Sequence, residues 1–198
     1  MKKEFQIISE LIENNTRVLD VGCGDGVLMR YLKDQKNIDT RGLEISKNKV
    51  QICVSQGLTV IEGNAEEDLK QFPNSSFNYV ILSQTLQAFY NPEKVIDNLL
   101  NVADKAIITI PNFGFWKVRL DLLIKGTMPI TKNLPDEWYN TPNIHMCTIK
   151  DFFNFCSKKK IKLYKSLALH GEKTSEINNY NLNWKNLSSE LGIFLIEK

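Results

Sequence analysis

The chain has only four cysteines and two histidines among its 198 residues, and no cysteine pair in a C-x-x-C arrangement. A structural zinc site draws its ligands from such short, repeated spacings, so no metal is expected. Cys23, Cys53, Cys147 and Cys156 read as reduced thiols of a cytoplasmic protein. Long apolar runs are missing too. Nothing approaches the ~20 apolar residues of a membrane span. The opening MKKEFQIISELIE carries Glu4, Glu10 and Glu13 where a signal peptide has its apolar centre. It reads as an amphipathic helix with Phe5, Ile8, Leu11 and Ile12 on one face. Charge of one sign is also absent. Twenty-five basic against 23 acidic residues leave a net +2, which argues for neither a nucleic-acid nor a membrane partner. The basic run Lys158–Lys160 reads as a solvated turn before a strand. With no internal repeat, linker or low-complexity tract, residues 1–198 are expected to form one domain.

What is present is concentrated in RVLDVGCGDGVLMRYL, residues 17–32. Val18, Leu19 and Val21 form a short apolar run around Asp20, the pattern of a buried strand. Gly22, Gly24 and Gly26 follow on alternate positions, and Leu28, Met29 and Leu32 then recur at roughly helical spacing. Strand, glycine loop and helix make the first crossover of a doubly wound α/β sheet, whose ligands sit beyond the carboxyl ends of the strands. The spacing is G-x-G-x-G, not the G-x-G-x-x-G of a dinucleotide fold, which receives a pyrophosphate on its helix. S-adenosylmethionine has no phosphate; it offers an ammonium, a ribose and an adenine. Asp20 suits the ammonium, directly or through water. Glu44, in TRGLEIS at the end of the second strand, lies at the ~20-residue distance expected for a ribose reader, with Ile45 beside it.

The remaining chain keeps the same rhythm. Strands are expected at 40–45, 58–62, 77–82 and 106–110, with helices between them. The loop after the third strand holds Asn64, Ala65 and Glu66, suited to reading an adenine edge. Ser83 and Gln84 end the fourth strand at the ligand face. Asn91–Pro92 opens the next helix. Residues 113–147 break the rhythm with two of the three tryptophans and three prolines, an insertion expected to lie over the ligand site as a lid. In its helical run FGFWKVRLDLLIKG, Trp116, Leu120 and Leu123 share one face, enough for a core contact. Val118 and Leu122 lie elsewhere on the helix and offer a second apolar surface to a partner. Thr148 and Asp151 form a capping box ahead of Phe152, Phe153 and Phe155. Residues 160–169 read as a sixth strand, 171–183 as a polar loop, and the chain closes on a seventh strand at 193–198. The predicted architecture is α/β: a Rossmann-like, doubly wound, seven-stranded and mostly parallel sheet. Its last strand runs antiparallel beside the fifth.

This pattern resembles the class I S-adenosylmethionine-dependent methyltransferases, and within them the methionine biosynthesis MetW family. LDVGCGDG at 19–26, LSQTLQAFYNP at 82–92 and EWYNTPNIHMCTIKDF at 137–152 carry the resemblance, the last being the most specific. It covers nearly the whole chain. It implies the methyltransferase fold, S-adenosylmethionine or S-adenosylhomocysteine as ligand, and a place in methionine biosynthesis beside a homoserine O-acyltransferase. One departure is Asn64, where many relatives of the wider fold carry Asp; an amide still accepts and donates.

Catalytic groups are scarce. The D/N-P-P-Y/F motif of amino methylation is replaced by SQTL after the fourth strand, and no Pro-Cys pair suggests attack on cytosine. His145 is the obvious general-base candidate and competes with a purely structural reading, a histidine fixing the lid. Tyr139 could line the pocket or pack. Cys23 reads as a small packed side chain and His170 as surface. Two functions follow: an accessory or regulatory S-adenosylmethionine-binding subunit, or a methyltransferase acting on a small molecule.

Overall fold

A computed structural model describes residues 2–198. In chain order the elements are α1 (Lys3–Leu11), β1 (Arg17–Val21), α2 (Val27–Lys36), β2 (Asp39–Glu44), α3 (Lys47–Ser55) and β3 (Thr59–Glu62). They continue with α4 (Ala65–Asp68), β4 (Phe77–Ser83), α5 (Pro92–Val102), β5 (Ala103–Pro111) and α6 (Trp116–Lys125). The last are α7 (Ile149–Lys159), β6 (Lys162–His170), β7 (Lys173–Glu176), α8 (Leu182–Ser188) and β8 (Leu191–Glu197).

The strands form one sheet in the order β3-β2-β1-β4-β5-β8-β6-β7. From β3 to β5 the pairs are parallel, and β8 enters antiparallel between β5 and β6. The expected architecture is therefore present, with one correction. The sheet has eight strands, because Lys173–Glu176 turns back on β6 as an antiparallel edge. Its sequence, KTSE, has no apolar alternation. It is exposed at Lys173, Thr174 and Glu176 and is held by the backbone ladder, which side-chain periodicity does not report.

Strand parity decides what reaches the site. Val18, Tyr79, Ile81 and Ile107 belong to the core beneath α1 and α2. Leu19, Val21, Val80, Leu82, Ile108 and Ile110 belong to the core beneath α5 and α7. Side chains alternate across a sheet. Asp20, Ser83 and Thr109 therefore share the α1 face at the carboxyl ends of β1, β4 and β5, whereas Ile110 faces α7. Each fully buried aliphatic side chain contributes about 1.5–3 kcal/mol, so two continuous cores are ample to hold this sheet between its helices.

A single amide fixes the chain beyond β5. Asn112 is 1% exposed. Its Nδ2 donates to the carbonyls of Asn186 (2.8 Å) and Ser189 (2.7 Å). Its Oδ1 accepts from the N–H groups of Gly114 (2.9 Å) and Ile149 (3.2 Å). Both donors and both acceptor sites of one side chain thus join the end of β5 to α7 and α8. The Thr148–Asp151 capping box forms as expected and starts α7 at the same point.

Asn112→Ala leaves two carbonyls and two N–H groups without partners in a buried place. At roughly 1–3 kcal/mol for each buried group left unsatisfied, the loss is expected to be at least ~3 kcal/mol by urea unfolding. Hydrogen exchange at Gly114 and Ile149 should accelerate most.

Candidate functional site

The glycine loop and α1 enclose a cavity of about 280 Å³ at the carboxyl ends of β1 and β4. Asp20, Gly22, Gly24, Ser83 and Gln84, five of the residues singled out from the sequence, line it. Lys2 and Phe5 close it from the side of α1. Gly24 has φ +57°, and a Cβ built there meets no atom within 4 Å, so this position opens into free space. Gly26 does different work. Its φ is +74°, and a Cβ there would stand 2.3 Å from Leu58 Cδ1, so it serves loop packing and not the cavity.

Glu44 stands behind the loop and is 5% exposed. Its Oε2 accepts from Gly24 N–H and its Oε1 from Ser46 N–H, both at 2.9 Å. The carboxylate thereby ties the glycine loop to the exit of β2. A carboxylate has about four lone-pair sites, so these two bonds leave capacity for a diol. Ile45 next to it is 69% exposed and offers an apolar surface to a flat ring.

Glu4 is the residue that sequence reading missed. Instead of lying on a solvated helix face, it is 4% exposed. It accepts from Ser83 Oγ (2.9 Å), Gln84 Nε2 (2.6 Å) and Thr109 Oγ1 (2.5 Å). Ser83 and Gln84 are thus held by α1 as well as lining the cavity, and Gln84 adopts φ +52° there. The signal lay in the spacing: Glu4 is one helical turn before Ile8, the fully buried residue of α1.

Asp20 feels this crowding. Its pKa is raised from 3.8 to about 7, by burial first, then by the charges of Glu44 and Glu4. No ion pair among the described residues includes Asp20, Glu44 or Glu4. Asp20 lines the cavity, Glu44 stands behind its glycine loop and Glu4 is bonded to Ser83 and Gln84 of its wall, so negative charge gathers at this end of the sheet. Burial and Asp20 push the Cys23 thiol up, so it stays protonated. It packs against Met29, Cys53 and Leu58, the small packed side chain expected of it.

Other expected site residues lie elsewhere. Asn64 caps α4, its Oδ1 accepting from Glu66 N–H at 3.0 Å. Glu66 Oε1 accepts from Asn91 N–H at 2.8 Å, and Ala65 is buried. These three sit beyond β3, outside the glycine-loop cavity. His145 is exposed and lines a second cavity, on the α7 face. Tyr139 is 65% exposed and packs edge-on against Trp138. Neither lines the glycine-loop cavity. His170 lies at the surface, half-exposed, with Nδ1 3.5 Å from Glu190 Oε1.

The insertion does reach this end of the sheet. Lys132, Asn133 and Pro135 share a cavity of about 220 Å³ with Lys2, Glu4 and Gln84. The expected core face of α6 is reversed, however. Val118 is the buried residue, packed with Phe115 and Leu134, while Trp116, Leu120 and Leu123 are exposed. Periodicity located the helix, but the choice of face rested on where Phe115 and Leu134 stand.

A raised Asp20 pKa means that the folded chain holds a proton which the unfolded chain releases between about pH 4 and pH 7. Stability from this group is therefore expected to fall as pH rises through that window. Thermal unfolding across pH should show the slope, Asp20→Asn should flatten it, and Glu4→Gln should move the Asp20 midpoint downward in carboxyl-carbon NMR.

Comparison with known proteins agrees with this geometry. A methyltransferase from Mesorhizobium loti, described as S-adenosylmethionine dependent, aligns over 100% of this chain and 98% of its own, with TM-score 0.70 and 13% identity. One from Thermotoga maritima, described as a possible histamine N-methyltransferase, aligns over 99% and 87%, with TM-score 0.69 and 15% identity. At such identities the likeness shows the fold, that of class I methyltransferases. A bifunctional methionine biosynthesis protein MetXA/MetW from Rhodopirellula baltica is 29% identical over 188 residues, covering 89% of this chain. The chain spans only 30% of that relative's length. Residues 2–196 match the family described as methionine biosynthesis protein MetW, and to that family this chain belongs.

Proposed function

We propose that the chain binds S-adenosylmethionine, or its product S-adenosylhomocysteine, in the glycine-loop cavity, and that it serves methionine biosynthesis as an accessory or regulatory partner of a homoserine O-acyltransferase. One observation carries the ligand: a small cavity at the carboxyl ends of a doubly wound sheet, lined by the glycine loop and buried Asp20, with buried Glu44 bonded to the loop from behind. Ionised Asp20 receives the ammonium. Glu44, already fixed by Gly24 and Ser46, receives the ribose diol. Gly24 lets the ligand lie against the backbone. Where the ligand extends past Glu44, outside that cavity, the loop from Asn64 to Glu66 and the open side chain of Ile45 border the adenine. The bound molecule supplies an activated methyl group; the residues of this chain bind and orient it.

The accessory reading is favoured over a small-molecule methyltransferase by the placement of His145 and Tyr139 away from this cavity. Among the described residues that line it there is no histidine or tyrosine. The partner is supported by the relative in which MetXA and MetW are parts of one protein. Its docking surface is the exposed apolar side of the insertion, where Trp116, Leu120, Leu122, Leu123 and Ile124 stand in solvent.

Calorimetric titration with S-adenosylmethionine should show binding that strengthens as pH rises through about 7, because the ligand's ammonium favours ionised Asp20. Glu44→Ala should weaken it roughly tenfold to a hundredfold, the worth of a charge-assisted diol contact. Gly24→Val should abolish it. An unchanged dissociation constant in Glu44→Ala removes the ribose assignment.

Co-expressed with the acyltransferase, the chain should elute with it in size exclusion and alter its turnover. A Leu120→Asp, Leu123→Asp double variant should fold, retain the ligand and lose the complex. Separate elution with unaltered turnover, together with steady formation of S-adenosylhomocysteine from an added acceptor, would establish the methyltransferase reading instead.

A further inference from the structure

S-adenosylmethionine carries a carboxylate on the same carbon as its ammonium. With the ammonium at Asp20, the carboxylate lies one carbon away, against the same small cavity. Asp20 and Asp25 both line that cavity, and each repels a second anion brought beside it. Taking a carboxylate out of water without a donor or a cation to replace its hydration is costly. The wall therefore needs a positive group.

It has one. Among the described residues that line the cavity, Lys2 is the sole lysine or arginine. Lys2 is exposed, but its Nζ lies 5.5 Å from the centroid of the Phe5 ring, and Phe5 lines the same cavity, which places the charge at this wall. Lys2 enters no ion pair among the described residues. The nearby lysines are engaged differently. Lys3 Nζ donates to Gln6 Oε1 at 3.2 Å, and Lys3 and Lys132 line the adjoining cavity and not this one.

Glu4 keeps Lys2 in place. Two residues further on, this buried carboxylate accepts from Ser83, Gln84 and Thr109 and so ties the first turn of α1 to the ends of β4 and β5. The carbonyl of Lys2 accepts from Phe5 N–H at 3.1 Å, so the backbone of Lys2 is carried with that turn. Its long, flexible stem is then free to bring the charge onto a ligand.

We infer that Lys2 reads the carboxylate of the ligand whose ammonium Asp20 reads, an inference that rests on the S-adenosylmethionine reading of this cavity. An acid and a base on one wall fit a zwitterion. They select a nucleoside that bears a whole α-amino-acid end over one that bears an amine alone. S-adenosylmethionine and S-adenosylhomocysteine belong to the first class. Decarboxylated S-adenosylmethionine belongs to the second, and its ammonium gains nothing from Lys2.

The test is calorimetric titration of the whole chain with S-adenosylmethionine and with decarboxylated S-adenosylmethionine, two ligands that differ in the carboxylate alone. The parent should bind the first roughly three- to tenfold more tightly, between the worth of an exposed ion pair and that of a charge-assisted hydrogen bond. Lys2→Met should remove that preference by weakening S-adenosylmethionine while leaving the decarboxylated ligand unchanged or slightly tighter. Lys2→Gln should do the same, Lys2→Arg should keep the preference, and Lys3→Met should leave both affinities as they are. If neither ligand binds the parent, the S-adenosylmethionine reading falls and the inference with it. If S-adenosylmethionine binds, the inference alone is overturned by any of three results: the decarboxylated ligand binds as tightly to the parent, Lys2→Met weakens both ligands alike, as a disturbed α1 would, or Lys3→Met removes the preference as fully as Lys2→Met.

Discussion

Three carboxylates buried near one another, with no ion pair to any of them among the described residues, are the constraint on which the carboxyl end of this sheet rests. Glu4, Asp20 and Glu44 come from a helix and two strands and converge because strand parity puts them on one face. Like charges in a dry place repel, and each is accommodated differently. Glu4 is surrounded by hydroxyl and amide donors from Ser83, Gln84 and Thr109. Glu44 takes two backbone N–H groups. Asp20, left with least, yields by holding its proton up to about pH 7. A cation beside Asp20 would favour its ionised form.

The region beyond β5 is organised by the opposite means. There a neutral amide, Asn112, satisfies four backbone groups and roots the insertion, α7 and α8. The insertion then spends little of its apolar surface on the core. Val118 and Phe115 pack against Leu134, and most of the remaining apolar side chains of α6 face solvent. A surface of that kind is costly for an isolated chain and reasonable for one that is covered by another protein.

The two cavities meet at the exit of β4. Residues 83–87 pass from the α1 face to the α7 face within one short 3-10 turn, Leu86–Ala88, so neighbouring residues of one loop line different cavities. Gln84 and Gln87 are joined by a side-chain hydrogen bond across that turn.

Much of this was written locally in the chain. Apolar runs, alternate glycines, Asn91–Pro92 and the Thr148–Asp151 box are short-range signals, and they located the parallel half of the sheet, the glycine loop, Asp20, Glu44, Ser83, Gln84 and the antiparallel last strand. Those features depend on residues within a few positions of one another, where backbone preference and side-chain period act directly. What remained undecided depends on partners far away in sequence. β7 is held by backbone pairing that KTSE does not announce. Glu4 is buried because strands some eighty and a hundred residues on supply its donors. Gly26 answers to Leu58, and Val118 to Leu134. The sequence by itself determined most of the elements and the order in which their polar residues follow; only the tertiary structure decided the edge strand β7 and which face each element presents, because burial is a property of the assembled neighbours and not of the residue.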